Sequence, residues 1–180
     1  MNAPVDAGML SRHDGPEGLA AEVSPPVAAD LADVLDWLAA QFIRAPQREQ
    51  VHAARSVVGQ MLLREMGEVL GNETLMARLG QHLSEGTEEE VTVALQRRYT
   101  ALFEGVFPQR CALPYASAWQ GSGRLYDAPV ARMQQLLQML GMELAQTNHE
   151  PPDHLAVQLA ALAQALRQEC WETVQTLLVE

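Results

Sequence analysis

Residues 148–166 read NHEPPDHLAVQLAALAQAL: a polar knot of two histidines, two acids and two prolines that runs without a break into an apolar stretch. In that stretch Leu155, Leu159, Leu162 and Leu166 recur at steps of four, three and four, the spacing of one helix face. Proline is pre-organised for the first helical turn, and an acid there complements the helix dipole. Taken alone, the stretch predicts a helix that begins at PPDH. The acid and imidazole groups crowded around that start are more than a helix start requires.

Working outward, helical spacing recurs along most of the chain. Leu31, Val34, Leu35, Leu38 and Phe42 predict a helix from about Asp30, stopped before Pro46. Val51, Ala54, Val58, Met61, Leu62 and Met66 predict a second, which reaches a left-handed cap at Gly71-Asn72. Leu75, Met76, Leu79 and Leu83 predict a third, ended by Gly86. The acidic run TEEE at 87–90 reads as a capping box, with Thr87 and Glu90 exchanging hydrogen bonds at the start of a helix that carries Val91, Leu95, Tyr99, Leu102 and Phe103 inward. A long Pro/Gly-rich connection follows. Pro129 then opens a helix with Val130, Met133, Leu136, Leu137 and Leu140 inward and Gly141 past its end, and Trp171, Val174 and Leu178 suggest a last short one. No strand pattern, repeat or low-complexity tract emerges. The expectation is an all-α, single-domain helical bundle over residues 28–180, preceded by a flexible extension over residues 1–27 whose Pro, Gly and scattered charge show no periodicity. Most of the eight methionines fall at helix-facing positions and read as core filling.

Composition narrows the function. The 180 residues are 48% hydrophobic and 19% charged, which suits one globular unit. A formal charge of −11 and a pI near 4.8 repel phosphate backbones, so nucleic acid is excluded as a partner and a basic ligand is the natural complement. No secretory signal or membrane-length apolar run is read, and a cytoplasmic protein is expected. Cys111 and Cys170, far apart and without CxxC spacing, read as two reduced thiols.

Enzyme signatures fail one after another. Asp153 and His154 are sequence neighbours, which on a helix points them about 100° apart, poor geometry for a catalytic pair. His149, Glu150, Asp153 and His154 could gather round a metal, yet a helical di-metal site needs two Glu-x-x-His motifs, and the chain has one, Glu49 with His52. GSG at 121–123 lacks the GK[ST] of a phosphate loop, and Ser117 has no base near it in sequence. No catalytic residue, metal or cofactor is expected.

Three stretches, taken together, resemble the TorD/DmsD family of redox-enzyme maturation chaperones. LQRRYTALFEG at 95–105 resembles the family's helix ending in Tyr-Thr-x-Leu-Phe, LPYASAW at 113–119 resembles its Pro-aromatic-x-Ser-x-aromatic loop, and HEPPDHL at 149–155 resembles its NEPPDHL hinge, in the same order and at similar spacing. The resemblance covers residue 30 onward. It implies a TorD-like helical fold, without enzymatic activity, that binds the twin-arginine leader and apo form of a molybdenum-cofactor oxidoreductase of the dimethyl sulfoxide or trimethylamine N-oxide reductase type until cofactor is inserted. It assigns peptide binding to Tyr115, Ser117 and Trp119 in the loop and to Glu150, Pro151, Pro152, Asp153 and His154 in the hinge. Against the family's pattern the chain looks short at its C-terminus: a pared-down fold, a homodimer that swaps helices, and a divergent or incomplete member all fit.

A twin-arginine leader offers two arginines and then an apolar segment, and an acidic, aromatic- and methionine-bearing protein complements both. The expectation is that Tyr115 and Trp119 line an apolar groove while Glu150 and Asp153 face the arginines; for Trp119 a core position is the competing reading. His154 either tunes binding with pH or serves as an ordinary helix-terminal residue. The alternative function is a helical assembly module that binds a folded enzyme subunit without leader recognition, and a small metal- or nucleotide-dependent enzyme is a distant third.

Overall fold

The computed structural model describes residues 24–105, 111–120, 128–144 and 150–179. Among them nine α-helices follow in order: α1 (Pro25–Phe42), α2 (Arg48–Arg55), α3 (Val57–Val69), α4 (Glu73–Ser84), α5 (Glu88–Tyr99), α6 (Ala116–Trp119), α7 (Ala128–Met139), α8 (Leu155–Arg167) and α9 (Trp171–Val179). A π-helical turn over Thr100–Glu104 extends α5. No strand occurs among the described residues, so the all-α class read from the sequence is the class observed. None of the described helices is long and apolar enough to cross a membrane.

Two hydrophobic clusters share α1. In the first, Leu63 of α3 packs with Met76 and Leu83 of α4, closed by Trp37 of α1 and by Val91 and Leu95 of α5. The second gathers Ala28 and Ala32 of α1, four residues of α7 and its end (Met133 to Leu140), Val157 to Leu166 of α8 and Val174 of α9. The packing of α1 on α8 is the most extensive in the molecule. Small side chains on both helices, Ala28 and Ala32 against an α8 whose Ala161, Ala163 and Ala165 are fully enclosed, permit a close approach. Arg167 at the end of α8 then ties to Asp33 and Asp36 of α1, each at 2.7 Å.

Several local expectations hold. Thr87 caps α5 by accepting from the Glu90 amide at 3.2 Å, while a Glu90 carboxylate oxygen accepts from the Thr87 amide at 2.9 Å. That bond, with one from the Thr87 hydroxyl, holds the Glu90 carboxyl below its ordinary range. Gly71 and Gly141 take the left-handed φ, +60° and +66°, that ends a helix. Cys111 and Cys170 are not joined in a disulfide.

Others are corrected. The first helix starts at Pro25 rather than near Asp30, because Pro25 and Pro26 fill positions where a missing N–H costs nothing; residues 1–23 of the expected extension lie outside the described residues. The predicted second helix is two. Ser56 is extended (φ −64°, ψ 161°), ends α2 and caps α3 by accepting from the Gly59 amide at 3.0 Å. That break resets the helical phase, so Val58, Met61 and Leu62, expected inward, are exposed. The π turn does the same to Leu102, and Leu75 in the first turn of α4 is exposed while Met76 takes the buried place. On α8 the enclosed set is alanine-rich, and Leu155, Leu159 and Leu162 are half-buried. Core filling by methionine holds for Met76 and Met133 but not for Met61 or Met139.

Candidate peptide-binding site

The loop after α5 is pinned where it begins. The Ala112 amide donates to the Leu102 carbonyl of the π turn at 2.6 Å. Glycine at 105 is required there, since a Cβ would run into the Cys111 side chain. Residues 112–115 then lead into the single turn of α6.

The two sequence motifs meet across this turn. Tyr115 and His154 form an isolated antiparallel bridge. Around it the Leu155 amide donates to the Pro114 carbonyl at 2.7 Å and the Ala116 amide to the Asp153 carbonyl at 3.0 Å. Asp153 adds its side chain: Oδ2 accepts from the Ser117 amide at 2.9 Å, which satisfies one of the free N–H groups of α6. The Gln158 side chain donates to the Asp153 carbonyl at 2.8 Å and fixes the same peptide from α8. Asp153 is wholly enclosed, and Oδ1 has no hydrogen-bond partner among the described residues.

His154 is the N-cap of α8 in place of the usual Ser, Thr, Asp or Asn. Its Nδ1 accepts from the Ala156 amide at 3.0 Å, so the proton of the neutral ring resides on Nε2. The helix therefore begins at Leu155, and the two prolines form the turn before it instead of its first turn. Burial pushes the His154 pKa below its ordinary value, against a smaller upward pull from the Glu150 and Asp153 carboxylates. The imidazole meets the Tyr115 ring edge-on, with centroids 5.1 Å apart.

On the outside of this bracket, the Tyr115 hydroxyl donates to Glu150 Oε2 at 2.7 Å. Trp119 donates its indole N–H to the Leu113 carbonyl at 2.7 Å and leaves 69% of its surface exposed. An aromatic body facing solvent with its polar edge already satisfied is suited to cover an apolar ligand. Tyr115, Glu150, Pro151 and Pro152 are half-buried.

The structure thus brings all eight expected site residues to one place but sorts them by depth. Ser117, Asp153 and His154 are enclosed, at 1%, 0% and 2% exposure, and hold the loop to the hinge. Asp153 does not face solvent, which corrects the expectation that it meets arginines directly; its carboxylate is turned inward onto α6. Trp119 is an exposed residue and not a core one. His149 lies outside the described residues. No group of three metal-ligating side chains gathers among the described residues, and His52 of the lone Glu-x-x-His motif hydrogen-bonds Glu88 at 2.7 Å.

A second feature escaped the sequence reading. A groove of about 940 Å³ is lined by residues of α1 to α5 and the π turn, Val34, Trp37, Leu62, Met66, Leu79 and Phe103 among them. The available signal was an excess of apolar residues in SVVGQMLLREM at 56–66, too many for one buried stripe. Tyr99 also lines the groove, and its hydroxyl donates to the Phe42 carbonyl at 2.7 Å. Burial raises the Tyr99 pKa, helped by the carboxylates of Glu104 and Glu150. Tyr115 and Trp119, expected to line an apolar groove, are not among the residues that line this one.

Residues 69–177 match the sequence model of the family described as "Nitrate reductase delta subunit". Proteins named "Chaperone protein TorD" are similar over much of the chain: that of Vibrio cholerae serotype O1 is 28% identical over 137 residues, covering 73% of this chain and 60% of the relative. This chain belongs to the TorD/DmsD family. The TorD protein of Vibrio atlanticus is 29% identical over 133 residues, 71% of this chain and 60% of the relative. That of Photobacterium profundum is 38% identical over 74 residues, 41% of this chain and 34% of the relative. The chain thus spans about 60% of the length of most of the TorD relatives it matches. No solved structure matches it significantly. The TorD/DmsD motifs fall on the bracket just described, with YTALF at 99–103 supplying the aromatic end of the groove.

Proposed function

We propose that this protein is a non-enzymatic cytoplasmic chaperone that binds the apo form of a molybdenum-cofactor oxidoreductase, of the dimethyl sulfoxide or trimethylamine N-oxide reductase type, through its twin-arginine leader before export. The observation that supports this reading is the exposed Trp119 ring on the loop that Tyr115 and Ser117 tie to the Glu150–His154 hinge. Tyr115, Trp119, Glu150, Pro151 and Pro152 make the contact surface; Ser117, Asp153 and His154 act from within by fixing its shape.

Magnitudes apportion the binding. An exposed ion pair contributes about 0.2–1 kcal/mol, whereas full burial of a Leu or Phe side chain contributes about 1.5–3 kcal/mol. Micromolar affinity needs about 8 kcal/mol net, so the apolar segment supplies the affinity while the net negative charge steers the arginines and sets their register.

Tagged protein purified from its native cytoplasm tests the reading by mass spectrometry of the proteins that accompany it. An uncleaved twin-arginine precursor of a molybdoenzyme supports leader binding. Mature subunits alone would sink it and favour assembly on a folded subunit.

A further inference from the structure

The bracket between loop and hinge contains one bond that a proton cancels. Its hydrogen bonds converge on Asp153 and His154: the Asp153 carbonyl accepts from Ala116 and Gln158, Asp153 Oδ2 from Ser117, the Pro114 carbonyl from Leu155, and His154 Nδ1 from Ala156. A proton added at Nδ1 makes both ring nitrogens donors, so that the Ala156 N–H faces another N–H and the ring loses its place in the cap. The imidazole is shut off from solvent, and an enclosed charge there is costly. Among the described residues the titratable side chains acting on the ring are Glu150 and Asp153, whose carboxylates favour the cation, and Tyr115, whose ring it meets edge-on. Asp153 is turned onto Ser117, whereas Glu150 is half-buried and accepts the Tyr115 hydroxyl. An imidazolium that leaves the cap for Glu150 competes with that hydroxyl and pulls on the Tyr115–His154 bridge. None of Tyr115, Trp119, Glu150, Asp153 and His154 belongs to either hydrophobic cluster, while Ala161, Ala163 and Ala165 keep α8 in its own. The bracket can therefore open with the helices still packed.

We propose that His154 is a proton-operated latch on the peptide-binding loop: its neutral ring holds Tyr115 and Trp119 in the binding arrangement, and its protonation frees the loop and releases the leader. The inference rests on the leader-binding reading and adds how the site lets go. An imidazole in water has a pKa of about 6.5, and burial sets that of the latched ring lower. The latch is thus shut above about 6.5 and opens as pH falls toward the folded-state value, the opening equilibrium growing by up to about tenfold per pH unit over that interval.

Hydrogen exchange of the full chain, followed residue by residue by NMR and corrected for the pH dependence of unprotected amides, reads the latch without a ligand. From about pH 7.5 to about 5.5 the protection of Ala116, Ser117 and Leu155 is expected to fall several-fold, to a limit of about tenfold, while Ala161 and Ala163 in α8 keep theirs. Undiminished protection in the loop overturns the latch, and an equal loss in α8 overturns it in favour of general acid destabilisation. The link to the leader is read by anisotropy with a rhodamine-labelled synthetic peptide of two arginines followed by a run of leucine and alanine residues, over the same pH range. The Kd of the parent is expected to rise several-fold toward about pH 5.5, and that of His154→Asn, judged against its own value at about pH 7.5, to change by less than about twofold. An equal rise in both chains removes His154 from the release. A parent chain that leaves the peptide unbound at about pH 7.5 sinks the leader reading itself, and the exchange measurement then decides the latch alone.

Discussion

The Asp153 carboxylate reaches back 36 residues to accept the Ser117 amide at 2.9 Å, and both groups are shut off from solvent. One charged acceptor thereby joins the start of α6 to the turn before α8. A hydrogen bond to a charged group contributes about 1.5–3 kcal/mol, and removal of the acceptor strands a buried amide. Asp153→Ala is expected to lower unfolding free energy by about 2 kcal/mol in urea titration, and Asp153→Asn, which keeps an acceptor, to recover most of it. A loss below about 0.5 kcal/mol for the alanine variant would mean that the loop is held by its backbone bonds alone.

His154 gives the fold a pH dependence whose sign follows from its cap. Nδ1 accepts the Ala156 amide only when unprotonated, and burial lowers the pKa in the folded state. The unfolded chain then binds more protons than the folded one as pH falls past about 6.5. The contribution of His154 is complete above that value and is lost as pH drops toward the folded-state pKa. Urea midpoints measured from pH 7.5 to 5 are expected to fall in the parent and to fall less steeply in His154→Asn, which retains a capping acceptor. Equal slopes would exonerate the histidine.

Gly59 is the contact point of α2 with α3. A Cβ there would lie on the Ala53 carbonyl oxygen and 2.7 Å from the Ala54 Cα, both backbone atoms with little freedom to move. Gly59→Ala is expected to cost about 1–3 kcal/mol despite the higher helix propensity of alanine. A stabilised variant would show that the corner at Ser56 opens readily.

Trp119 separates binding from stability. Its ring is exposed, so Trp119→Ala is expected to change unfolding free energy by less than about 1 kcal/mol. In stopped-flow displacement of a leader peptide the same variant is expected to raise the dissociation rate about tenfold or more, as loss of an aromatic anchor does. Unchanged kinetics would place the ring outside the contact.

Local features were the ones legible in the sequence. The capping box at Thr87 and Glu90, the glycine ends at Gly71 and Gly141 and the α7 stripe through Met133, Leu136 and Leu137 each involve residues within a few positions of one another, and each is observed. The break at Ser56 was hidden because apolar spacing continues through it, and only the extended backbone of that residue splits the run. Placement of the eight site residues together came from the resemblance, and their depth could not have come from it. Whether Asp153 points out or in depends on an amide 36 residues away. The groove is lined from five helices, a property of no single segment.

The partnership of α1 and α8 also sets a timetable. Arg167 and Asp33, which close it, are separated by 134 positions. At about 5–20 residues per second on the ribosome, α1 waits roughly 7–27 s for its companion to be synthesised. During that interval α2 to α5 have been made and can collapse onto Trp37, but the alanine face of α1 is bare. A protein proposed to shield the unfinished chains of others thus spends its own synthesis with one helix unshielded, and the newborn molecule passes through a stage that itself invites a chaperone.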